Sequence, residues 1–171
     1  FGPLTSISDV TAAAAAASAA AAAAQSSANT ANTTLAEISS DSLLTPDEKP
    51  RVIMDRDVIV AEQSDIDAKA TAQGITTLKT TYDTAVSALT TYLATLTSPV
   101  AWDSLAGNTT INGSTFRGKF SDVYAARQAL MNSIAVTIAT GAVWTAQLAT
   151  NAATENFSAY DAVGVGYSTA T

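Results

Sequence analysis

The sequence predicts an all-α protein, in which an alanine-rich coiled-coil helix leads into a three-helix bundle and a short β element follows at the C-terminal end. Three observations support this prediction: an alanine run near the start, three later segments with apolar residues at helical spacing, and a glycine-rich aromatic segment near the end. We divide the chain into a stalk helix with its linker (1–40), the bundle (41–140), and a return helix with the start of the β element (141–171).

The alanine run extends from Ala12 to Ala24 and is interrupted only by Ser18. Alanine loses no side-chain entropy in a helix, and Ser8 or Asp9 can cap the N-terminus. A smooth alanine helix buries little apolar area, however, and a short one is marginal alone in water. Methyl side chains let identical helices approach closely. We therefore expect this helix to be the spine of a multi-chain assembly, most simply a homotrimer.

Residues 25–34 are rich in Ser, Asn and Thr, which weaken a helix without forbidding it. The segment is either a frayed continuation of the alanine helix or a flexible linker. Asn29 and Asn32 are candidates for buried register-setting residues in a coiled coil. We favour the simpler interpretation, in which both belong to a solvated face.

The first bundle helix is predicted over residues 50–73. Thr45 and Glu48 have the spacing of a capping box, and Pro50 allows the alternative that the regular helix starts at Lys49 after a tight turn. Gly74 is a candidate left-handed C-cap. Val52, Ile59 and Ile66 recur every seven positions, with Ile53 and Val60 beside them, and together they form one apolar stripe.

The second bundle helix has the clearest pattern in the chain and is predicted to begin at Thr76 or Thr77 and to end at Ser98-Pro99. Its exposed face is rich in threonine, a poor helix former, so packing must stabilise it. Its apolar residues alternate spacings of four and three, with Val86 and Leu93 flanking them: Leu78, Tyr82, Ala85, Leu89, Tyr92 and Leu96.

Residues 99–113 form a long connection with two turn signals, and Thr109–Ile111 between them is a candidate for a short extended piece. We expect Trp102 and Leu105 to fold back as a lid over the end of the bundle. The alternative is that Trp102 anchors a partner, because tryptophan is favoured in binding hot spots.

The third bundle helix is predicted to begin at Ser114 or Thr115. Arg127 falls inside its apolar stripe, where a charge must pair or reach the surface. We expect a structural bridge from Arg127 to an acid of the first bundle helix, for which Asp55, Asp57 and Glu62 are the candidates.

After Gly141 the amino-acid composition of the chain changes twice. Residues 142–153 are alanine-rich again and are predicted to form a second short coil helix. Residues 156–167 alternate glycine with aromatic and β-branched residues, which predicts an extended segment that begins a β element.

Charge and composition exclude several classes of function. The 171-residue chain carries a net charge of −7 with only 8 basic residues, which argues against nucleic-acid binding and against docking on anionic lipid. The apolar stretch of residues 10–24 is too short for a membrane span, so we predict no membrane insertion. The chain begins with Phe1 rather than methionine, from which we expect it to be part of a longer polypeptide.

The sequence contains no motif that indicates a catalytic, cofactor-binding or metal-binding site. It contains no histidine and no cysteine, which removes His-dependent triads, most zinc sites and disulfides. The acid pairs Asp55/Asp57 and Asp65/Asp67 are two residues apart, and such side chains diverge on a helix. Gly164-Val165-Gly166 lacks the lysine and the context of a phosphate loop. We therefore predict no catalytic, cofactor-binding or metal-binding residues, no cofactor and no enzyme activity.

One resemblance covers roughly residues 41–140. The segment from Leu44 to Pro50 is similar to the opening of a module found in tail-tip (host-specificity, J-type) and central tail-fibre proteins of long-tailed bacteriophages and prophages. The similarity continues through 66–72, 92–93 and 102–110 and is strongest at 115–120 and 124–135.

The resemblance implies a trimeric virion structural protein at the distal end of the tail, which helps host recognition. Its implied partners are two further copies of the chain, other phage tail proteins and a host cell-surface receptor, contacted by this segment or a neighbouring one. The resemblance supplies no catalytic residues.

Two alternatives remain open from the sequence. The first is the stalk of a bacterial trimeric surface adhesin, which an anchor elsewhere in the full chain would identify. The second is a tail-associated glycan hydrolase, which would need a cleft with two close carboxylates.

Overall fold

The protein is mainly helical, which confirms the all-α prediction. The computed structural model describes the backbone of residues 7–167 and the side chains of residues 11–141. Within that part, two short antiparallel strands accompany four helices: α1 (Ile7–Ile38), β1 (Leu43–Leu44), α2 (Lys49–Ala72), α3 (Thr76–Thr95), β2 (Thr109–Thr110) and α4 (Gly113–Tyr167).

The helices run alternately up and down, and α4 is the element on which the others pack. α1 lies antiparallel along α4, since Gly113 meets the end of α1 at Ser39 and the Gln128 side-chain amide donates to the Ala21 carbonyl oxygen at 3.3 Å. α3 packs against α4, and α2 packs mainly against α3. The bundle of each chain therefore has four helices rather than the predicted three, because α1 belongs to it.

The alanine helix is partly buried within its own chain. Ala21, Ala24, Ala28 and Ala31 are each at most 7% exposed. Ala28 and Ala31 belong to one hydrophobic core with Leu35 and other large residues of the bundle. Small side chains let α1 approach α4 closely, so the packing that we expected only between chains occurs first within one. The core also crosses the predicted domain boundary at residue 40. The outward-facing alanines remain exposed.

The polar segment 25–34 is a continuous part of α1 rather than a linker. The Oγ1 atoms of Thr30, Thr33 and Thr34 each donate to the carbonyl oxygen four residues earlier. These bonds satisfy the hydroxyl groups without breaking the helix. Asn29 and Asn32 are exposed, as expected of a solvated face.

α4 continues through two predicted breaks. Gly141 does not end it, because glycine in a helix interior costs only about 1 kcal/mol relative to alanine. The predicted extended segment 156–167 is helical to Tyr167, so the short β element lies at β1 and β2 instead. A strand needs a partner, and the spacing of Phe157, Tyr160 and Val163 also fits a helix.

α2 begins and ends close to the predicted positions. The Glu48 carboxylate accepts hydrogen bonds from the Thr45 backbone N–H at 2.9 Å and from the Thr45 hydroxyl at 2.7 Å, and the helix starts at Lys49. At the other end Gly74 has φ 69°, and the Ile75 N–H donates to the Ala70 carbonyl oxygen at 2.9 Å, as in a Schellman motif. Val52, Ile59 and Ile66 of the predicted stripe are buried and Ile53 is half-buried, whereas Val60 is 44% exposed, so the prediction for Val60 is wrong.

α3 buries the predicted face. Tyr82, Val86, Leu89 and Leu93 are at most 4% exposed. The threonine hydroxyls on the outer side bond back to carbonyl oxygens four residues earlier, at distances of 2.8–3.1 Å for Thr80, Thr81, Thr84 and Thr90. Packing on one side and local hydroxyl bonds on the other explain how a threonine-rich segment stays helical.

The connection from α3 to α4 closes the end of the bundle. Trp102 is buried, as predicted for a lid, whereas Leu105 is 58% exposed, so the prediction for Leu105 is wrong. The expected extended piece is present as β2, which pairs antiparallel with β1. Because two strands of two residues each are too short to be stable alone, this pair depends on the packed helices beside it.

Candidate functional site

A groove on the described surface lies between α1 and α2, with α4 as its floor. α1 and α2 scarcely touch each other, although both belong to the bundle. One part of this groove encloses about 320 Å³. Small and hydroxylated residues of α1 form one wall and charged residues of α2 form the other, above Tyr124 and Arg127 of α4: Ser26, Ser27, Thr30 and Ala31 against Arg51, Asp55, Val58, Ile59 and Glu62.

Ion pairs occupy the floor of this groove. Arg127 Nη2 of α4 bonds Glu62 Oε2 of α2, which confirms the predicted bridge and selects Glu62 among its three candidate partners. The Arg127 side chain is only 14% exposed. About two turns away on α2, Arg51 Nε lies 3.1 Å from Asp55 Oδ1. The two arginines and two carboxylates balance, so the groove does not select for a charged ligand.

The groove continues toward the turn between α2 and α3. A second cavity of about 340 Å³ shares Ser27, Glu62 and Arg127 with the first and extends to Asp65 and Lys69. In this region the α1 wall consists of Ala20, Ala23 and Ala24. The α1 wall of the groove is therefore built from alanine, serine and threonine.

A second polar network joins α2 to α3. Lys79 Nζ lies 2.7 Å from Asp83 Oδ2 and 3.1 Å from Asp67 Oδ2, and the Gln63 side-chain amide donates to Asp83 Oδ1 at 2.7 Å. Burial opposes ionisation of Asp83, but the hydrogen bonds from Lys79 and Gln63 outweigh it and hold the pKa of Asp83 below its usual value. Hydrogen bonds to Asp83 and Asp67 raise the pKa of Lys79. This network fastens α2 to the bundle.

Tyr82 lies beneath these two networks. Its side chain is fully buried, and its hydroxyl has no hydrogen-bond partner among the described residues. Burial raises the pKa of Tyr82 to about 12, an effect that the charge of Arg127 opposes and that of Glu62 supports. A phenol with so high a pKa cannot act as a base near neutral pH, so its place in the structure is that of a packing residue.

The loop over residues 99–108, which we call the tip loop, is held by a buried lysine. Lys49, the first residue of α2, is 0% exposed. Its Nζ donates to the carbonyl oxygens of Ala101 at 2.9 Å, Ser104 at 2.6 Å and Gly107 at 2.7 Å. This role of Lys49 was not predicted from the sequence, because a lysine after a capping box looks like an ordinary surface charge and its acceptors lie more than fifty residues away.

Trp102 fixes the same loop from the side of the bundle. The Arg56 guanidinium lies 5.2 Å from the centre of the Trp102 ring. The backbone N–H of Trp102 donates to the Leu96 carbonyl oxygen at 2.9 Å. The Thr109 hydroxyl donates to the Val100 carbonyl oxygen at 2.6 Å. The tip loop is thus ordered by three side chains from outside it.

The acid pairs that the sequence contains do not converge on a common point. Asp55 pairs with Arg51, Asp57 with Arg56, Asp65 with Lys69 and Asp67 with Lys79. Among the residues that the structure describes, no group of three acidic, histidine or cysteine side chains is placed to hold a metal ion. Gly164-Val165-Gly166 lies inside α4.

Neither a related protein nor, within the described residues, a membrane-spanning helix was found. No protein-family model, curated protein or solved structure matches the chain. Over residues 7–167, no helix combines the length and the hydropathy that crossing a membrane requires.

Proposed function

We propose that the chain is a structural segment of a phage tail-tip or tail-fibre protein, which trimerises, spaces and presents the host-recognition tip during adsorption. Its proposed location is the distal tail of the virion, where it contacts two further copies of itself, other tail proteins and, through this or a neighbouring segment, the host receptor. The different motifs that lie between Leu44 and residue 135 support this assignment by their resemblance to the phage module.

The observation that carries the proposal is the elongated α1–α4 pair. α1 has 32 residues and α4 has 55, which correspond to about 48 Å and 82 Å at 1.5 Å per residue. The groove contacts place Ala20 level with Lys69, near the end of α2. The earlier part of α1 and the later part of α4 therefore extend beyond the turn at Gly74, while the tip loop lies at the opposite end. This is the shape expected of a spacer with a compact head.

The exposed side of α1 supplies a surface for trimerisation. Ala12, Ala15, Ala19 and Ala22 recur at spacings of three and four on the side opposite the buried alanines, and all four are exposed. Three such helices can pack closely around a common axis, because methyl groups allow a short distance between backbones. The trimer would then use one side of α1, while α4 of the same chain covers the other.

Light scattering tests the trimer directly. We expect a mass of about 52 kDa, three times the 17.4 kDa chain. The variant Ala19→Glu places three like charges near the proposed axis and should yield a helical monomer. Ser87→Glu, which changes an exposed residue of α3 away from the proposed axis, is the control and should remain trimeric. A wild-type chain that stays a 17.4 kDa monomer would remove the trimer from the proposal.

Immunogold labelling of purified virions tests the location. An antiserum raised against the chain should mark the distal end of the tail. Labelling of the head, or particles that lack the chain altogether, would contradict the assignment whatever the oligomeric state proves to be.

A further inference from the structure

Lys49 makes an unusual set of contacts for a lysine at the start of a helix. Its side chain is completely buried, and its Nζ donates three hydrogen bonds to backbone carbonyl oxygens of the tip loop, at 2.6–2.9 Å. Among the described residues no carboxylate lies within ion-pair distance of it. Burial lowers the pKa of Lys49, and the charge of Asp103 opposes this effect through space. The lysine is therefore held by main-chain dipoles rather than by an opposite charge.

The stoichiometry of these contacts matches an ammonium group. An ammonium has three N–H donors and no acceptor, so three carbonyl oxygens satisfy it one to one. A neutral amine has two donors and would leave one carbonyl without a partner, and a guanidinium is a planar fork that cannot point three donors at one such set. Carbonyl oxygens gathered around a single positive centre are also how proteins coordinate small cations.

We propose that the carbonyl oxygens of Ala101, Ser104 and Gly107 form a binding site for a primary ammonium group, and that Lys49 is its resident occupant. Lys49 is then a positioning residue, which ties the start of α2 to the tip loop and holds that loop in one conformation. The inference does not depend on the phage assignment or on the trimer, since it concerns contacts within one chain.

Chemical rescue tests the proposal. Lys49→Ala removes the atoms that n-propylammonium contains, so added n-propylammonium chloride should reoccupy the site. The variant is made in a Trp144→Phe background, in which Trp102 is the remaining tryptophan and its emission reports the tip loop. We expect Lys49→Ala to shift the Trp102 emission to the red and to lower Tm by about 5–10 °C, because three carbonyl groups lose their donor.

The comparison of cations decides the outcome. n-Propylammonium should restore part of both signals, whereas tetramethylammonium at the same concentration should not, because it has the charge without the N–H donors. Lys69→Ala, which removes an exposed lysine, is the control and should respond equally to both salts. Equal responses of Lys49→Ala to the two cations would overturn the proposal. If Lys49→Ala does not fold without added salt, the same comparison is made on its refolding yield.

A second variant keeps the test decisive. Lys49→Met fills the space with a side chain of similar length but supplies no donors, so it should lose the native Trp102 emission and should not respond to n-propylammonium. Wild-type emission and Tm in Lys49→Met would show that filling the space is sufficient, and the ammonium site would be disproved.

Discussion

Gly113 lies against the backbone of Ser39, so close that a Cβ atom on Gly113 would come within 2.2 Å of the Ser39 carbonyl oxygen. Gly113 is the first residue of α4, and Ser39 directly follows α1. The contact thus joins the two longest helices at the end of the bundle near β1 and β2. The obstacle is backbone rather than a flexible side chain, so it cannot move aside without shifting a helix.

The first prediction follows from this contact. Gly113→Ala should lower the free energy of unfolding by about 1–3 kcal/mol, because the added methyl group forces α1 and α4 apart. Urea denaturation measures the change. Gly118→Ala is the matched control, since nothing lies within 4 Å of a Cβ atom there, and it should stabilise α4 by up to about 1 kcal/mol. Equal effects of the two substitutions would contradict the close approach at Ser39.

The second prediction concerns the bridge between Arg127 and Glu62. A double-mutant cycle with Arg127→Met and Glu62→Gln should give a coupling free energy of about 0.5–2 kcal/mol, because the arginine is largely buried. The same cycle on Lys69 and Asp65, whose side chains are 55% and 68% exposed, should give no more than about 0.5 kcal/mol. If both cycles gave the same coupling free energy, burial would not explain the strength of the bridge between Arg127 and Glu62.

Local patterns predicted the parts of the fold that depend on neighbouring residues. Residues a few positions apart in sequence determine both the stripe of Val52, Ile59 and Ile66 and the cap at Gly74, and both features are present. The bridge at Arg127 was also foreseeable, because a lone charge inside an apolar stripe requires a partner.

Contacts between distant segments were not predictable in the same way. An alanine run is equally apolar on every side, so the sequence cannot indicate which side of α1 lies on α4. Lys49 finds its acceptors in a loop whose path depends on the whole bundle. The groove arises because α1 and α2 stay apart, a property of packing that no single motif encodes.

The third prediction uses the buried hydroxyl of Tyr82. Its pKa is about 12 in the folded protein, against 10.0 for an unperturbed tyrosine. Below pH 10 the phenol is protonated in both states. Between pH 10 and 12 the unfolded chain loses this proton while the folded protein retains it, so the free energy of unfolding should fall as pH rises.

Tyr82→Phe isolates this effect from other groups that titrate at alkaline pH. The variant should be about as stable as the wild type at pH 7, because the hydroxyl has no hydrogen-bond partner among the described residues, and it should lose less stability between pH 10 and 12. Tyr92→Phe, at a half-buried position, should change the pH profile less. A parallel decline in the wild type and in Tyr82→Phe would mean that Tyr82 does not carry the pH dependence.

The fourth prediction tests whether alanine is required where α1 packs within its own chain. Ala21 is 7% exposed and Ala36 is exposed, although both lie on α1. Ala21→Leu should lower the free energy of unfolding by about 1–3 kcal/mol, since Ala21 is buried where α1 contacts Gln128 of α4 and a larger side chain would force the two helices apart. Ala36→Leu makes the same chemical change outside the alanine run and should alter stability by no more than about 0.5 kcal/mol. Urea denaturation at several protein concentrations separates this effect from trimerisation, because an effect within one chain does not depend on concentration. If Ala21→Leu were as stable as Ala36→Leu, α1 would not pack on α4 through its alanine side, and the whole alanine run would be free to contact other chains.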